Sequence, residues 1–317
     1  MIVAEGGGAL DLQNWEGSLK ESTTTPLSIP KGVVSFLDGS PCPVILVDNT
    51  ASQVLAEAYP RFIEAGINIV TPNKKAFSSS LSLYQEILKA STSSATAGMY
   101  LHEATVGAGL PVLSTLADLR ETGDEIYKIE GVFSGTMSYL FNSFAPTALA
   151  PGSSPRAFSD CVKEARALGY TEPDPRDDLN GMDVARKLTI LARLSGLDVA
   201  DATAFPTMSL IPKELQSAAS AEEYLAGLPA FDAGMERTRN EAERDGNVVR
   251  YVGSLDLTTK ELSVGLKPVG KDGAIAGLKG SDNIISFSTK RYGQRPLVIQ
   301  GAGYGFSSFS SVHAGIS

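Results

Sequence analysis

Residues 43–73 read PVILVDNTASQVLAEAYPRFIEAGINIVTPN, and the fold turns on how this stretch is parsed. Val44 to Val47 is a short apolar run closed by Asp48 and Asn49, the pattern of a buried strand bounded by turn residues. From Ser52 to Gly66 the apolar residues recur at helical spacing. Pro60 divides that segment and suits the first position of a second helical stretch. Ile67 to Val70 then repeats the strand pattern. Strand, helix and strand in succession require a crossover, so the two strands run parallel. The alternation continues outward: VVSF (33–36) and MYLHEAT (99–105) read as further strands, and SLSLYQEILKAS (80–91) as a helix. In such sheets ligands gather beyond the carboxyl ends of the strands. Here those ends carry Asp48-Asn49-Thr50, Thr71-Pro72-Asn73-Lys74 and His102-Glu103-Ala104-Thr105.

The second half has another rhythm. A helix in LPVLSTLADLRETG (110–123) leads into a strand in IYKIEGVFS (126–134), and a helix restarts after Gly135 in GTMSYLFNSF. AFSDCVKEARALG (157–169) is helical, residues 248–268 read as a β-hairpin, and DNIISFSTKRY and PLVIQGAG as later strands. Strands after a helical block predict an α+β second domain. The chain has 317 residues, 43% hydrophobic and 20% charged, with net charge −9, enough for two domains. No block of Lys or Arg stands out, so neither nucleic acid nor a membrane surface is an expected partner. Cys42 and Cys161 lack disulfide or zinc-ligand spacing. No apolar run reaches spanning length, and MIVAEGGGALDL lacks the pattern of a signal peptide. The expectation is a soluble cytoplasmic protein.

Four motifs carry chemistry. In LGYTEPDPRDDLNGMDVARK (168–187), Pro173 and Pro175 stiffen a loop holding Glu172, Asp174, Asp177 and Asp178, and Asp177 or Asp178 is placed to cap the next helix. Val184, Leu188 and Leu191 form that helix's apolar stripe, with Asp183 and Lys187 one turn apart beside it. An i,i+4 pair on a surface contributes only about 0.3–0.5 kcal/mol. A pair bordering the buried face can instead move a proton on and off an alcohol, while the carboxylates bind an amine. TPNKKAF places Lys74 and Lys75 at a strand end, as solvated charges or as cofactor contacts. EATVGAGLP offers one carboxylate and closely spaced carbonyls, a tight turn or a hard-cation site. FSGTMSY sets a Gly-Thr at a strand-to-helix junction, where free N–H groups can receive an anion or Ser134 or Thr136 can cap. His102 and His313 read as structural.

Taken together and in order, TPNKKAF, HEATVGAGLP, GVFSGTMSY and GYTEPDPRDDLNGMDVARK resemble the homoserine dehydrogenases, most like the monofunctional fungal-type enzymes. PVILVDNTAS and LKGSDNIISF fit too, and the similarity runs from about residue 1 to 303. The resemblance implies an NAD(P)-dependent interconversion of L-homoserine and L-aspartate 4-semialdehyde, a step toward threonine, methionine and isoleucine. It implies that Lys187 holds or protonates the reacting oxygen with Asp183 sharing the bond, and that Glu172 binds the substrate ammonium with Asp178 nearby. Thr136 and Tyr170 complete the pocket, Lys74 lies between nicotinamide and substrate, and Thr50 and Gly305 touch the cofactor, NADP or NAD. Glu103 with the carbonyls of Val106, Ala108 and Leu110 matches a sodium site. A homodimer built through the second-domain sheet is also implied.

Two features depart from the family. No G-x-G-x-x-G turn follows a first strand; Gly6-Gly7-Gly8 follow IVAE, which resembles the family's second strand, with Glu5 at its acidic end. After VIQGAG the chain ends in YGFSSFSSVHAGIS, poor in helix formers. The expected architecture is α/β: an incomplete Rossmann-type nucleotide domain over 1–107, to which 301–317 return, and an α+β substrate-binding and dimerisation domain over 108–300. Impaired cofactor binding is therefore expected. The alternatives are a truncated, non-catalytic homologue that binds substrate or partners a full-length subunit, and a thiolate-dependent semialdehyde dehydrogenase.

Overall fold

The structure is a computed structural model and describes residues 11, 13–38, 40–149 and 151–302. After helices α1 (Trp15–Glu21) and α2 (Lys31–Leu37), three strands form a parallel sheet: β1 (Ile45–Val47), β2 (Asn68–Val70) and β3 (Tyr100–Leu101). Val47 pairs with Val70, and Val70 with Leu101. The crossovers are α3 (Gln53–Glu57) with α4 (Tyr59–Glu64), then α5 (Lys75–Ser78) with α6 (Leu81–Ser91). Pro60 stands at the start of α4, where its missing N–H costs nothing. Ser52 and Ser80 cap α3 and α6 by accepting the amides of Leu55 and Leu83.

Two strand expectations are corrected. VVSF (33–36) lies inside α2, because three apolar residues in a run of four fit either period and Pro30 fixes a helix start. MYLHEAT contributes only Tyr100 and Leu101 to the sheet; Glu103–Thr105 then tighten into a 3₁₀ turn. PVILVDN is less buried than expected, with Ile45 and Val47 each 42% exposed. The stretch IVAE, the Gly6–Gly8 run and Gly305 lie outside the described residues.

Helix α7 (Val112–Glu121) leads into β4 (Ile126–Val132), followed by α8 (Gly135–Phe144), α9 (Phe158–Ala167), α10 (Arg176–Leu179), α11 (Met182–Leu194), α12 (Ala221–Gly227) and α13 (Asp232–Arg244). The chain closes with β5 (Asn247–Asp256), β6 (Glu261–Gly270), β7 (Asp282–Thr289) and β8 (Leu297–Ala302). These complete an antiparallel sheet of order β6-β5-β4-β7-β8, with the β5–β6 hairpin read from the sequence at its edge. Helices α8 and α11 pack on β5. A Cβ at Gly253 of β5 would come within 2.6 Å of the Phe133 ring, so a side chain there would push α11's bed apart. Val184, Leu188 and Leu191 of α11 are buried in a core that runs continuously from Ala56 to Phe287. Each such side chain contributes roughly 1.5–3 kcal/mol relative to exposure. That stripe fixes the roll of α11 and decides where its polar border points.

Candidate active site

Helix α11 starts abruptly. Gly181 sits at φ 77°, a left-handed conformation open to glycine, and the Asn180 side chain accepts the Met182 amide at 2.7 Å. Neither Asp177 nor Asp178 caps the helix, a correction to the sequence reading; the turn needs an acceptor closer to Met182 than either can supply. Four residues later the helix carries its working pair. Lys187 Nζ lies 2.7 Å from Asp183 Oδ2 and donates to the Phe133 carbonyl at 2.7 Å. Lys74, the residue that precedes α5 beyond the carboxyl end of β2, brings Nζ to 3.2 Å from Asp183 Oδ1. One carboxylate therefore serves two ammonium groups, one from each half of the chain.

The pair is half-buried, the Lys187 side chain being 14% exposed and that of Asp183 38%. Burial favours the protonated form of the Asp183 carboxyl, but the charges of Lys187 and Lys74 outweigh it and hold the pKa well below the carboxylate range. For Lys187, burial and the Lys74 charge lower the pKa, against Asp183 and Asp178, so it gives up its proton more readily than an ordinary lysine. The sign for stability follows from Asp183's depressed pKa: its contribution is fully present above the ordinary value of 3.8 and is lost as pH falls below it. Urea unfolding of wild type and Asp183→Asn should show a gap that is constant near neutral pH and narrows below pH 3.8. A gap that narrows between neutrality and that point would contradict the depressed pKa.

Beside the pair lies a second cluster. Asp178 Oδ2 accepts the Glu172 amide at 2.8 Å, and its Oδ1 lies 3.0 Å from the Thr136 hydroxyl, which also donates to the Tyr170 carbonyl at 2.6 Å. Thr136, Tyr170, Glu172 and Asp178 are thus brought together as the sequence reading grouped them. Burial, with Glu172 and Asp183 adding to it, raises the Asp178 pKa. An arriving cation would relieve that repulsion. Asp174 does not join this cluster, being held by Arg176 at 2.5 Å. Ser134, not Thr136, caps α8 by accepting the Met137 amide.

At the strand ends, Asp48, read from the sequence only as part of a polar strand end, anchors a network. It is 1% exposed and accepts the Thr50 amide and hydroxyl, the Tyr59 hydroxyl at 2.5 Å and the Asn73 amide group at 3.0 Å. No local pattern announces this network, which ties β1 and α4 to the turn before Lys74. His102 is stacked on Phe77 at 3.8 Å, and burial lowers its pKa to about 3, so it stays neutral and structural. Both Glu103 oxygens accept main-chain amides, from Leu113 at 2.7 Å and Ser114 at 2.9 Å, at the start of α7. A groove of about 840 Å³ opens there, lined among others by Val70, Thr71, Tyr100, His102 and Glu103. Burial pushes the Cys161 thiol up to about 11, which disfavours a thiolate nucleophile. Among the described residues no cluster of three or more metal-ligating side chains occurs, and no helix is long and apolar enough to cross a membrane.

Comparison with known proteins bears on this geometry. A family model described as homoserine dehydrogenase matches residues 111–311, and one described as its NAD-binding domain matches residues 8–100. The homoserine dehydrogenase of Emericella nidulans is 58% identical over 280 residues, covering 87% of this chain and 75% of that one. That of Saccharomyces cerevisiae is 50% identical over 292 residues, covering 92% and 79%. A Candida auris crystal structure described as of unknown function is 44% identical and superposes with a TM-score of 0.90 over 99% of this chain and 86% of that one. A hyperthermophilic archaeal homoserine dehydrogenase in complex with NADPH is 21% identical and shares the fold, with a TM-score of 0.63 over 96% and 79%.

Proposed function

The chain belongs to the homoserine dehydrogenase family of oxidoreductases, and from that premise we propose that it interconverts L-homoserine and L-aspartate 4-semialdehyde at the Lys187–Asp183–Lys74 cluster. The observation that carries the reading is the sharing of Asp183 between a lysine of α11 and a lysine beyond β2. An ammonium has three N–H donors. Lys187 spends two on Asp183 and the Phe133 carbonyl, and the third is directed to the substrate's reacting oxygen. Its lowered pKa favours proton donation to the aldehyde oxygen in reduction and proton uptake from the alcohol in oxidation. Glu172 and Asp178 bind the substrate ammonium, and Thr136 and Tyr170 close that end of the pocket.

NADP or NAD, which supplies or accepts the hydride, is assigned to the strand ends, with Thr50 and Lys74 as contacts. The groove beside β2 and β3 is of a size to take part of a dinucleotide, and the related archaeal enzyme holds NADPH. Glu103 with the carbonyls of Val106, Ala108 and Leu110 is assigned to a sodium ion. The donor types suit it, since the Glu103 carboxylate keeps lone pairs beyond its two accepted amides, and one negative charge with carbonyl oxygens matches a hard monovalent cation. Residues 1–107 and 108–300 are assigned as the nucleotide and substrate domains, and a homodimer through the antiparallel sheet completes the proposal.

The direct test adds L-aspartate 4-semialdehyde and NADPH to the purified chain and follows NADPH absorbance, alongside a calorimetric NADPH titration. Consumption that depends on the semialdehyde is expected, with NADPH binding weakened by the lack of a G-x-G-x-x-G turn. A folded chain that binds NADPH but shows no turnover would overturn the proposed reaction.

A further inference from the structure

Arg193 lies on α11, is not among the residues assigned above, and is 4% exposed. Its hydrogen bonds go to main-chain carbonyls: Nη1 donates to Phe77 at 2.7 Å, Nη2 to Ser79 at 2.6 Å and Ala200 at 2.8 Å, and Nε to Val199 at 3.1 Å. The Tyr84 ring lies beneath the guanidinium at 5.3 Å. A buried cation is costly, and here hydrogen bonds to carbonyls, not to a carboxylate, compensate it. What those carbonyls have in common is position. Phe77 and Ser79 end the single helical turn, α5, that Lys74 begins; the amides of Phe77 and Ser78 close on the Lys74 carbonyl. Val199 and Ala200 follow α11 itself.

We infer that Arg193 is a positioning residue: its guanidinium locks α5 to α11, and so sets the distance at which Lys74 reaches the Asp183 carboxylate. The Asp183–Lys187 pair needs no such lock, because both residues belong to one helix. The Lys74–Asp183 contact has no covalent shortcut and depends on how α5 sits against α11. A guanidinium suits this task, because its planar fork addresses several carbonyls at once, which a lysine amine cannot do with fixed geometry.

The test compares wild type with Arg193→Lys and Arg193→Met by residue-resolved acetylation of lysines, read by mass spectrometry on the folded full chain. In wild type Lys74 is held by Asp183 and should react slowly. In the variants Lys74 should acetylate several-fold faster while Lys187, relieved of the Lys74 charge, reacts no faster than in wild type. Arg193→Lys keeps the charge, so it remains informative if the methionine variant does not fold. In turnover, which rests on the proposed reaction, kcat should fall about tenfold or more while KM for homoserine holds, since the ammonium cluster is untouched. Wild-type acetylation of Lys74 in folded Arg193→Lys would overturn the inference. So would equal acceleration at Lys74 and Lys187, which marks general loosening. Absence of turnover already in wild type would count against the proposed reaction and leave the labelling result standing.

Discussion

Lys187→Ala should lower turnover by about a thousandfold while NADPH binding stays unchanged. The magnitude is that of a lost general acid, roughly 10²–10⁴ in rate. Asp183, Asp178 and the Phe133 carbonyl all act on Lys187. Lys74 cannot replace it, because it approaches the opposite oxygen of Asp183 from the turn before α5. Lys187 is not among the residues lining the groove beside β3, and Lys74, the cofactor contact nearest to it, keeps its Asp183 partner in the variant, which is why cofactor affinity should hold. The measurement is single-turnover NADPH oxidation beside a calorimetric NADPH titration. A variant within tenfold of wild-type turnover would remove Lys187 from the proton-transfer role, and a parallel loss of NADPH affinity would mean a collapsed site instead.

Gly181→Ala should destabilise the fold by about 2–5 kcal/mol, a large part of a domain's total stability. Two costs combine. A Cβ at φ 77° is strained by about 1–2 kcal/mol, and that Cβ would lie 2.0 Å from the Tyr251 hydroxyl. Tyr251 is 1% exposed and its hydroxyl donates to the Met208 carbonyl at 2.5 Å, so the ring cannot swing aside without losing a buried bond. Overpacking of this kind costs about 1–3 kcal/mol. Because the first turn of α11 carries Asp183, turnover should fall as well. Urea unfolding is the check; a loss under about 1 kcal/mol with normal turnover would show that the turn can relax.

How far the site was legible follows from distance along the chain. Asp183 and Lys187 were readable because one helical turn is a local relation, and Val184 and Leu188 announced which side was buried. Glu172 and Asp178 were legible through the resemblance and through an excess of carboxylates. Which carboxylates face inward was not, since Asp174 and Asp178 are equivalent until Arg176 claims one and Thr136 the other. The Lys74–Asp183 contact and the buried Asp48 network depend on the packing of separate elements, for which no local pattern exists. VVSF failed for a different reason: so short a stretch, with three apolar residues, fits a strand or a helix equally, and the neighbouring proline decided it. The antiparallel sheet was the easiest part, its hairpin period being short and repeated.

The double use of Asp183 has a thermodynamic corollary. Lys74 lowers the proton affinity of Lys187 and Asp183 raises it, so the acidity of the donor on α11 depends on how closely the turn after β2 approaches. Proton affinity and approach are linked functions, and linkage is reciprocal. Anything that draws Lys74 toward Asp183 makes Lys187 a stronger acid; anything that protonates Lys187 weakens the hold on Lys74. Two lysines built on different halves of the chain are thus coupled electrostatically through one carboxylate.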